Sequence, residues 1–133
     1  MVVDEMVSFE VAKLLKKLGF DVPCRRYYDT VTDDPDMEYV MAIWGNGVCV
    51  QNSKLLPTEY ARCTQQMAMR WIREIHCWFI QIYYVGVTNK YEYSIYKTDN
   101  SIPHQPSMEV IPCDTYEDAV ESAIKYCLEN FIK

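Results

Sequence analysis

Long apolar runs, an excess of basic residues and familiar nucleotide-binding loops are all missing from this chain. No apolar run approaches the about 18 residues that a membrane-spanning helix needs, so we expect no membrane partner. With 13 Lys and Arg against 19 Asp and Glu, the chain lacks the basic surface that general nucleic-acid binding requires. There is no P-loop and no G-x-G-x-x-G stretch, so neither signature of nucleotide or dinucleotide binding is present.

The composition that remains is typical of a folded domain. Of the 133 residues, 50% are apolar and 14% are aromatic, which excludes a disordered chain. A chain of this mass can bury about two-thirds of its surface on folding. The opening residues, MVVDEMVSFE, are acidic and show no signal-peptide pattern, so we expect no secretion. We therefore expect a single compact domain over residues 1–133.

Cysteine and histidine limit the enzyme chemistries that the chain could support. The six cysteines contain no C-x-x-C pair and do not cluster, so we expect reduced thiols that pack as small apolar side chains. Cys63, before a predicted helix, is the best nucleophile candidate, because a helix N-terminus lowers a thiol pKa. Of the two histidines, His76 lies about 20 Å further along the same predicted helix, which leaves only His104 as its base. A Cys-dependent enzyme is therefore an alternative that we do not favour.

Neither of the two candidate metal sites has a known ligand spacing. His76 and Cys77 are adjacent, which is unlike any zinc finger or ribbon. The acidic run of residues 29–38 lacks the glycine and the terminal glutamate of an EF-hand loop; its carboxylates are Asp29, Asp33, Asp34, Asp36 and Glu38. We expect no metal and no cofactor, and we interpret the acidic run as a solvated loop.

Three amphipathic segments predict helices. The first covers residues 8–18, with Ser8 as N-cap and Gly19 as its end. The second covers about 65–76 with Thr64 as N-cap, and its predicted inward residues are Met67, Ala68, Trp71, Ile72 and Ile75. The third begins after a T-x-x-D capping signal at Thr115, and its apolar stripe is Ala119, Val120, Ala123, Ile124, Cys127, Leu128 and Phe131.

Strand-forming residues lie between these helices. We predict strands at 24–29, 38–44 and 48–52, with Gly45-Asn46-Gly47 as a tight turn between the last two. Residues 53–63 are expected to be a connection. The Pro-containing segment 99–114 is expected to be a loop with room for a short strand at 108–111.

Residues 78–88 and 91–97 predict a hairpin around Asn89-Lys90. A two-residue loop would place Thr88 opposite Tyr91 and Gly86 opposite Tyr93. The predicted core face is then Trp78, Ile80, Ile82, Tyr84, Tyr91, Tyr93 and Ile95. We expect this hairpin near the centre of the sheet, covered by the C-terminal helix. The order α-β-β-β-α-β-β-α predicts an α+β fold with three helices and one antiparallel sheet of about four to six strands.

Three segments carry a resemblance to a known family. They are SFEVAKLLKKLGF at 8–20, TQQMAMRWIREIH at 64–76 and TYEDAVESAIKYCLEN at 115–130. Together they resemble a family of small hypothetical proteins from bacteriophages and prophages of gut Bacteroidetes, over most of the chain. The resemblance implies a viral protein that acts in the cytoplasm of a bacterial host, and it assigns no residue roles.

The candidate ligand-binding residues combine arginine with tyrosine. Gln66, Arg70 and Arg73 fall at i, i+4 and i+7 of the second helix and should share its outer side. Arginine forks bind phosphate, and tyrosine rings stack on bases. Arg25 and Arg26 precede Tyr27 and Tyr28. In the predicted hairpin register, Tyr83 and Tyr96 stand opposite each other. The same residues are equally consistent with ordinary surface ion pairs and sheet pairs.

Three classes of function follow from these observations. The first is a non-catalytic phage protein that sequesters a nucleotide-type signal or a host protein, as a counter to host defence. The second is a structural or assembly protein of the phage particle. The third is the Cys-dependent enzyme. A homo-oligomer is compatible with each of them.

Because the cysteines are expected to be reduced, we predict that the protein contains no intramolecular disulfide. Its intact mass after denaturation should not change when a reductant is added, and its thermal melting curve should be the same with and without reductant. A gain of about two mass units per bridge on reduction, together with a large loss of stability, would contradict this prediction.

Overall fold

The computed structural model describes residues 5–30, 40–44, 49–97 and 111–132. The chain divides into two compact units, residues 1–64 (unit 1) and residues 65–133 (unit 2). This division does not decide the expectation of one domain over 1–133, which stays a prediction. Within the described residues, no helix combines the length and the apolar character needed to cross a bilayer.

Unit 1 contains helix α1 (Phe9–Lys17), strands β1 (Arg26–Thr30), β2 (Val40–Trp44) and β3 (Glu59–Arg62), and a 3₁₀ turn at Asn52–Lys54. The predicted caps of α1 are confirmed. Ser8 Oγ accepts a hydrogen bond from the Val11 amide at 3.2 Å. Gly19 takes a φ of +93°, a left-handed conformation that glycine adopts at little cost.

The sheet of unit 1 is antiparallel, in the order β2-β1-β3. Tyr28, in the central strand, stands opposite Ala42 on one side and Tyr60 on the other. Phe9 of α1 contacts the rings of Tyr28 and Tyr60 edge-on, with centroids 5.6 and 5.5 Å away. Aromatic edge-to-face contacts therefore hold α1 against this sheet.

Two strand predictions in unit 1 are wrong. β2 pairs with β1 rather than with the predicted strand at 48–52; among the described residues 49–52, Val50 alone forms a bridge, to Cys24. The predicted connection at 53–63 contains β3. The physical reason is the buried Asn52 side chain, which donates to the Phe20 carbonyl at 2.8 Å and accepts from the Ala61 amide at 2.8 Å. The turn predicted at Gly45-Asn46-Gly47 lies outside the described residues, as does most of segment 99–114.

Unit 2 contains helix α2 (Gln65–His76), strands β4 (Trp78–Val85) and β5 (Lys90–Lys97), and helix α3 (Tyr116–Asn130). The predicted capping signal of α3 is confirmed, because Thr115 Oγ1 accepts from the Asp118 amide at 3.1 Å. The apolar stripe of α3 from Ala119 to Leu128 is buried. Phe131, which follows the helix, stacks on Trp78 with a centroid distance of 4.6 Å. The prediction that the C-terminal helix covers the hairpin is confirmed, since α3 packs against β4 and β5.

The α+β class and the element order are confirmed, but the single sheet is not. The hairpin β4-β5 forms its own two-stranded sheet, so it does not lie at the centre of a larger one. Its register also differs from the prediction, because Tyr91 stands opposite Tyr84 rather than Thr88. A two-residue loop would require Lys90 to adopt a positive φ; the loop is longer, and Asn89 adopts a φ of +55° instead.

The predicted core face of the hairpin survives this change of register. The partner of Tyr91 moves by four residues, an even number, so every side chain stays on its predicted face. Trp78, Ile80, Tyr93 and Ile95 are all buried, whereas Tyr84, at the loop end of this face, is 54% exposed and Ser94, on the other face, is buried. The period of the strand therefore predicts the face correctly even where the turn predicts the wrong partner.

One residue of α2 does not follow the predicted helical stripe. Ile75 was expected to face inward, but it is 63% exposed. Ala68 and Ile72 are buried instead, and the half-buried His76 follows them at the same four-residue spacing; its imidazole packs edge-on against Trp71 at 4.6 Å. His76 thus takes the inner position at the end of the helix.

We predict that Asn52→Ala lowers the free energy of unfolding by about 2–4 kcal/mol, because the Phe20 carbonyl and the Ala61 amide both lose a buried partner. Urea unfolding followed by circular dichroism measures this change. Ser53→Ala, at the exposed neighbouring position, should change the free energy by less than about 0.5 kcal/mol. Equal stability of Asn52→Ala and wild type would show that Asn52 does not link these segments.

Candidate anion-binding face of helix α2

The residues that α2 buries on its inner side determine which residues it exposes on its outer side. Ala68, Trp71 and Ile72 are buried in unit 2. The side chain of Gln65 is also buried, and it donates to the Glu117 carbonyl at 3.0 Å. These contacts fix the rotation of the helix about its axis. Gln66, Arg70 and Arg73 are consequently all exposed, as the sequence predicts.

The three side chains lie along about 10 Å of the helix axis. Arg70 and Arg73 are one turn apart, about 4.5 Å along the axis, so both guanidinium groups can reach one phosphate. We call the surface formed by Gln66, Arg70 and Arg73 the α2 basic face. Within the described residues, the side chains of Gln66 and Arg73 have no hydrogen-bond or ion-pair partner.

Arg70 does have an intrahelical partner. Its Nε lies 3.1 Å from Glu74 Oε1, and both side chains are more than half exposed. Exposed i, i+4 pairs of this kind contribute little to stability. The carboxylate of Glu74 therefore competes weakly with any anion for Arg70.

The other predicted arginines belong to unit 1, whereas the α2 basic face belongs to unit 2. Arg25 is exposed, and Arg26 begins β1 opposite Trp44 and Arg62.

The two tyrosines after these arginines have different environments. Tyr28 is buried; its hydroxyl donates to the Val7 carbonyl at 2.6 Å and accepts from Arg62 Nε at 3.0 Å. That ring is part of the core and is not free to stack on a base. Tyr27 points to the other face of the strand and is half-buried. Its pKa is raised by partial burial and by the carboxylates of Glu59 and Asp29.

The predicted pairing of Tyr83 with Tyr96 is wrong. Tyr83 stands opposite Glu92, and Tyr96 stands opposite Phe79. The two rings share a face of the hairpin but are separated by four residues along it, roughly 13 Å. This distance follows from the longer loop, and it prevents both rings from enclosing one base.

Two of the described cysteines are poorly suited to act as nucleophiles. Burial raises the pKa of the Cys127 thiol to about 12 and that of Cys24 to about 11, so both thiols are protonated near neutral pH. Cys63 is 1% exposed, and His104, its proposed base, lies outside the described residues. The Cys63–His104 pairing therefore stays a hypothesis.

The candidate metal residues are also placed only in part. Within residues 5–30, 40–44, 49–97 and 111–132, no three His, Cys, Asp or Glu side chains gather to hold a metal ion. Asp29 lies in β1, and the rest of the acidic run falls outside the described residues. Cys77 is exposed and takes a φ of +62° between α2 and β4.

His76 is a polar residue of unit 2 whose position against the core was not predicted from the sequence. Its Nε2 is buried and has no hydrogen-bond partner in the described part of the chain. Burial lowers the pKa of the imidazole below its ordinary value of 6.5, because the charged form would lose its hydration. The spacing of Ala68, Ile72 and His76 was the signal in the sequence that could have identified it.

Comparison with known proteins yields no match: neither a family model, nor a curated protein, nor a solved structure matches this chain. The resemblance of the three quoted segments to phage proteins therefore stays a prediction.

We predict that the protein loses stability as the pH falls through about 6.5, because the unfolded chain binds a proton on His76 that the folded protein resists. The free energy of unfolding should be lower at about pH 5.5 than at about pH 7.5. His76→Phe keeps a ring against Trp71 without a titrating group, and it should reduce this difference.

The other histidine provides the matched control. His104→Gln should retain the pH dependence of the wild type, since this dependence is assigned to His76, whose imidazole packs against Trp71. Urea unfolding at both pH values measures each variant. The interpretation is wrong if His76→Phe and wild type lose the same free energy between the two pH values.

Proposed function

We propose that this protein is a non-catalytic binding protein that sequesters an anionic, nucleotide-type ligand in the cytoplasm of a bacterial host, as a phage counter to host defence. The observation that carries the proposal is the α2 basic face. It presents two guanidinium groups and one amide to solvent from a helix whose opposite side is fixed in the core. The phage setting rests on the resemblance of the three segments alone.

Phosphate is the ligand group that the α2 basic face is best suited to bind. Two arginines one turn apart can donate to the same phosphate, and Gln66 lies one turn before Arg70, about 6 Å along the axis, where it can reach a second polar group. A nucleotide with two phosphates, such as a cyclic dinucleotide or ADP-ribose, can offer one phosphate to the two arginines and another polar group to Gln66. The overall charge of −6 favours a site of this local type over general nucleic-acid binding.

The state of the thiols supports a non-catalytic role. Catalysis by cysteine requires a thiolate close to a base. Cys24 and Cys127 have raised pKa values, and the side chain of Cys63 is buried. These three cysteines therefore favour a binding role over thiol catalysis.

A second candidate is a structural or assembly protein of the phage particle. It is favoured by apolar side chains that unit 2 leaves exposed, of which Val87 at the hairpin loop is 97% exposed and Ile75 is 63% exposed. Exposed apolar groups of this size are typical of protein-binding surfaces when they form a patch.

We predict that Arg70→Ala and Arg73→Ala each weaken the binding of a cyclic dinucleotide or ADP-ribose by about tenfold or more, because each variant loses a charged hydrogen bond. Isothermal titration calorimetry measures the affinity. Both variants should fold normally, since exposed substitutions change stability by less than about 0.5 kcal/mol.

Lys125→Ala is the matched control. Lys125 forms an i, i+4 pair with Glu129 on α3, just as Arg70 does with Glu74 on α2, and its removal should leave the affinity unchanged. Glu74→Gln should strengthen binding, because it releases Arg70. Equal binding by wild type and both arginine variants would exclude this face. Failure of every nucleotide to bind would move the assignment to a protein partner or a particle component.

A further inference from the structure

The outer edge of β4 presents unpaired backbone groups. Tyr91 of β5 exchanges both of its backbone hydrogen bonds with Cys113, at 2.8 and 2.9 Å, on the side of β5 that faces away from β4. In an antiparallel pair of strands, the N–H and C=O groups of two directly opposite residues either point toward each other or both point away from the other strand. Tyr84, which stands opposite Tyr91, therefore points its N–H and C=O away from β5.

The same geometry repeats every second residue along β4. Ile82 and Ile80 stand opposite Tyr93 and Ile95, two and four residues further along, and they also point their backbone groups outward. No hydrogen bond to the backbone N–H or C=O of Ile80, Ile82 or Tyr84 is formed within the described residues. The edge thus carries three donors and three acceptors in a row.

Strand β4 itself contains none of the residues that usually prevent strands from pairing. The sequence of β4, WFIQIYYV, contains no charge, no proline and no glycine, although the whole chain has a net charge of −6. Phe79 is 41% exposed and Tyr84 is 54% exposed. An uncharged strand is also where two copies of an acidic protein can approach with the least repulsion.

We propose that β4 is a homodimer interface at which a second copy of this chain adds its own β4 antiparallel to the first. With Ile82 opposite Ile82 of the second copy, Ile80 pairs with Tyr84 and Tyr84 with Ile80. All three outward residues then exchange hydrogen bonds with the same three residues of the other copy. On the opposite face, this register places Phe79 beside Val85 and Gln81 beside Tyr83, so no like charges meet. The two hairpins become one four-stranded sheet with a two-fold axis through Ile82.

Sedimentation velocity across a wide range of protein concentration tests the dimer. Ile82→Pro removes the outward N–H of the central residue without removing a bond to β5, because that N–H is not part of the β4-β5 ladder. Gln81→Lys places a charge on the edge and serves as a second variant if the proline variant does not fold. Val87→Lys adds the same charge at the exposed hairpin loop and is the matched control.

We expect a concentration-dependent dimer for wild type and Val87→Lys, and a dissociation constant raised about tenfold or more in both edge variants. Amide protons of Ile80, Ile82 and Tyr84 should exchange slowly in the dimer, although the described residues of one chain offer them no partner. A wild type that stays monomeric at every concentration would overturn the proposal. So would a dimer that both edge variants leave intact, because its interface would lie elsewhere.

Discussion

Burial of the inner side of α2 is the constraint on which the candidate site depends. Trp71 and Ile72 are too apolar to face water, and together they fix the rotation of the helix within unit 2. That rotation alone decides that Arg70 and Arg73 face solvent, because side chains on an α-helix cannot change face independently. The exposure of the basic face is thus a consequence of packing on the opposite side.

In the hairpin, burial of one face likewise determines which side chains are exposed on the other, here because side chains alternate between the faces with a period of two residues. Trp78, Ile80 and Ile95 are buried against the helices, which leaves Phe79 and Gln81 on the other face. The bridge from Cys113 satisfies one edge of this small sheet at Tyr91. Because the described hairpin has two strands, no described residue pairs with the backbone groups of its other edge, and a strand from a second copy can satisfy them.

Local rules in the sequence predict much of this fold. The caps at Ser8 and Thr115, the end of α1 at Gly19 and the inner face of the hairpin are confirmed, since each depends on residues close together along the chain. The candidate residues on α2 follow equally from helical spacing. Their exposure could therefore be predicted, although their ligand could not.

The errors concern interactions between residues distant in sequence. The strand at Glu59–Arg62 depends on Asn52 and on Lys16, whose ammonium group donates to the carbonyls of Leu56 and Glu59 at 2.8 and 2.7 Å. A four-residue strand is too short for a periodic sequence pattern to predict these hydrogen bonds. Helix α1 likewise determines which tyrosine of β1 is buried, because it covers the face that carries Tyr28 rather than the face that carries Tyr27. The ring of Tyr28 is therefore not available for stacking beside Arg26.

The most direct test of the anion-binding account follows the Nε–Hε signals of the five arginines by NMR while ADP-ribose is added. Arg62 is an internal reference, because its Nε already donates to the buried Tyr28 hydroxyl. The account predicts that the signals of Arg70 and Arg73 shift together with one affinity while the Arg62 signal stays in place. A titration in which neither signal moves, or in which all five move equally, would contradict it.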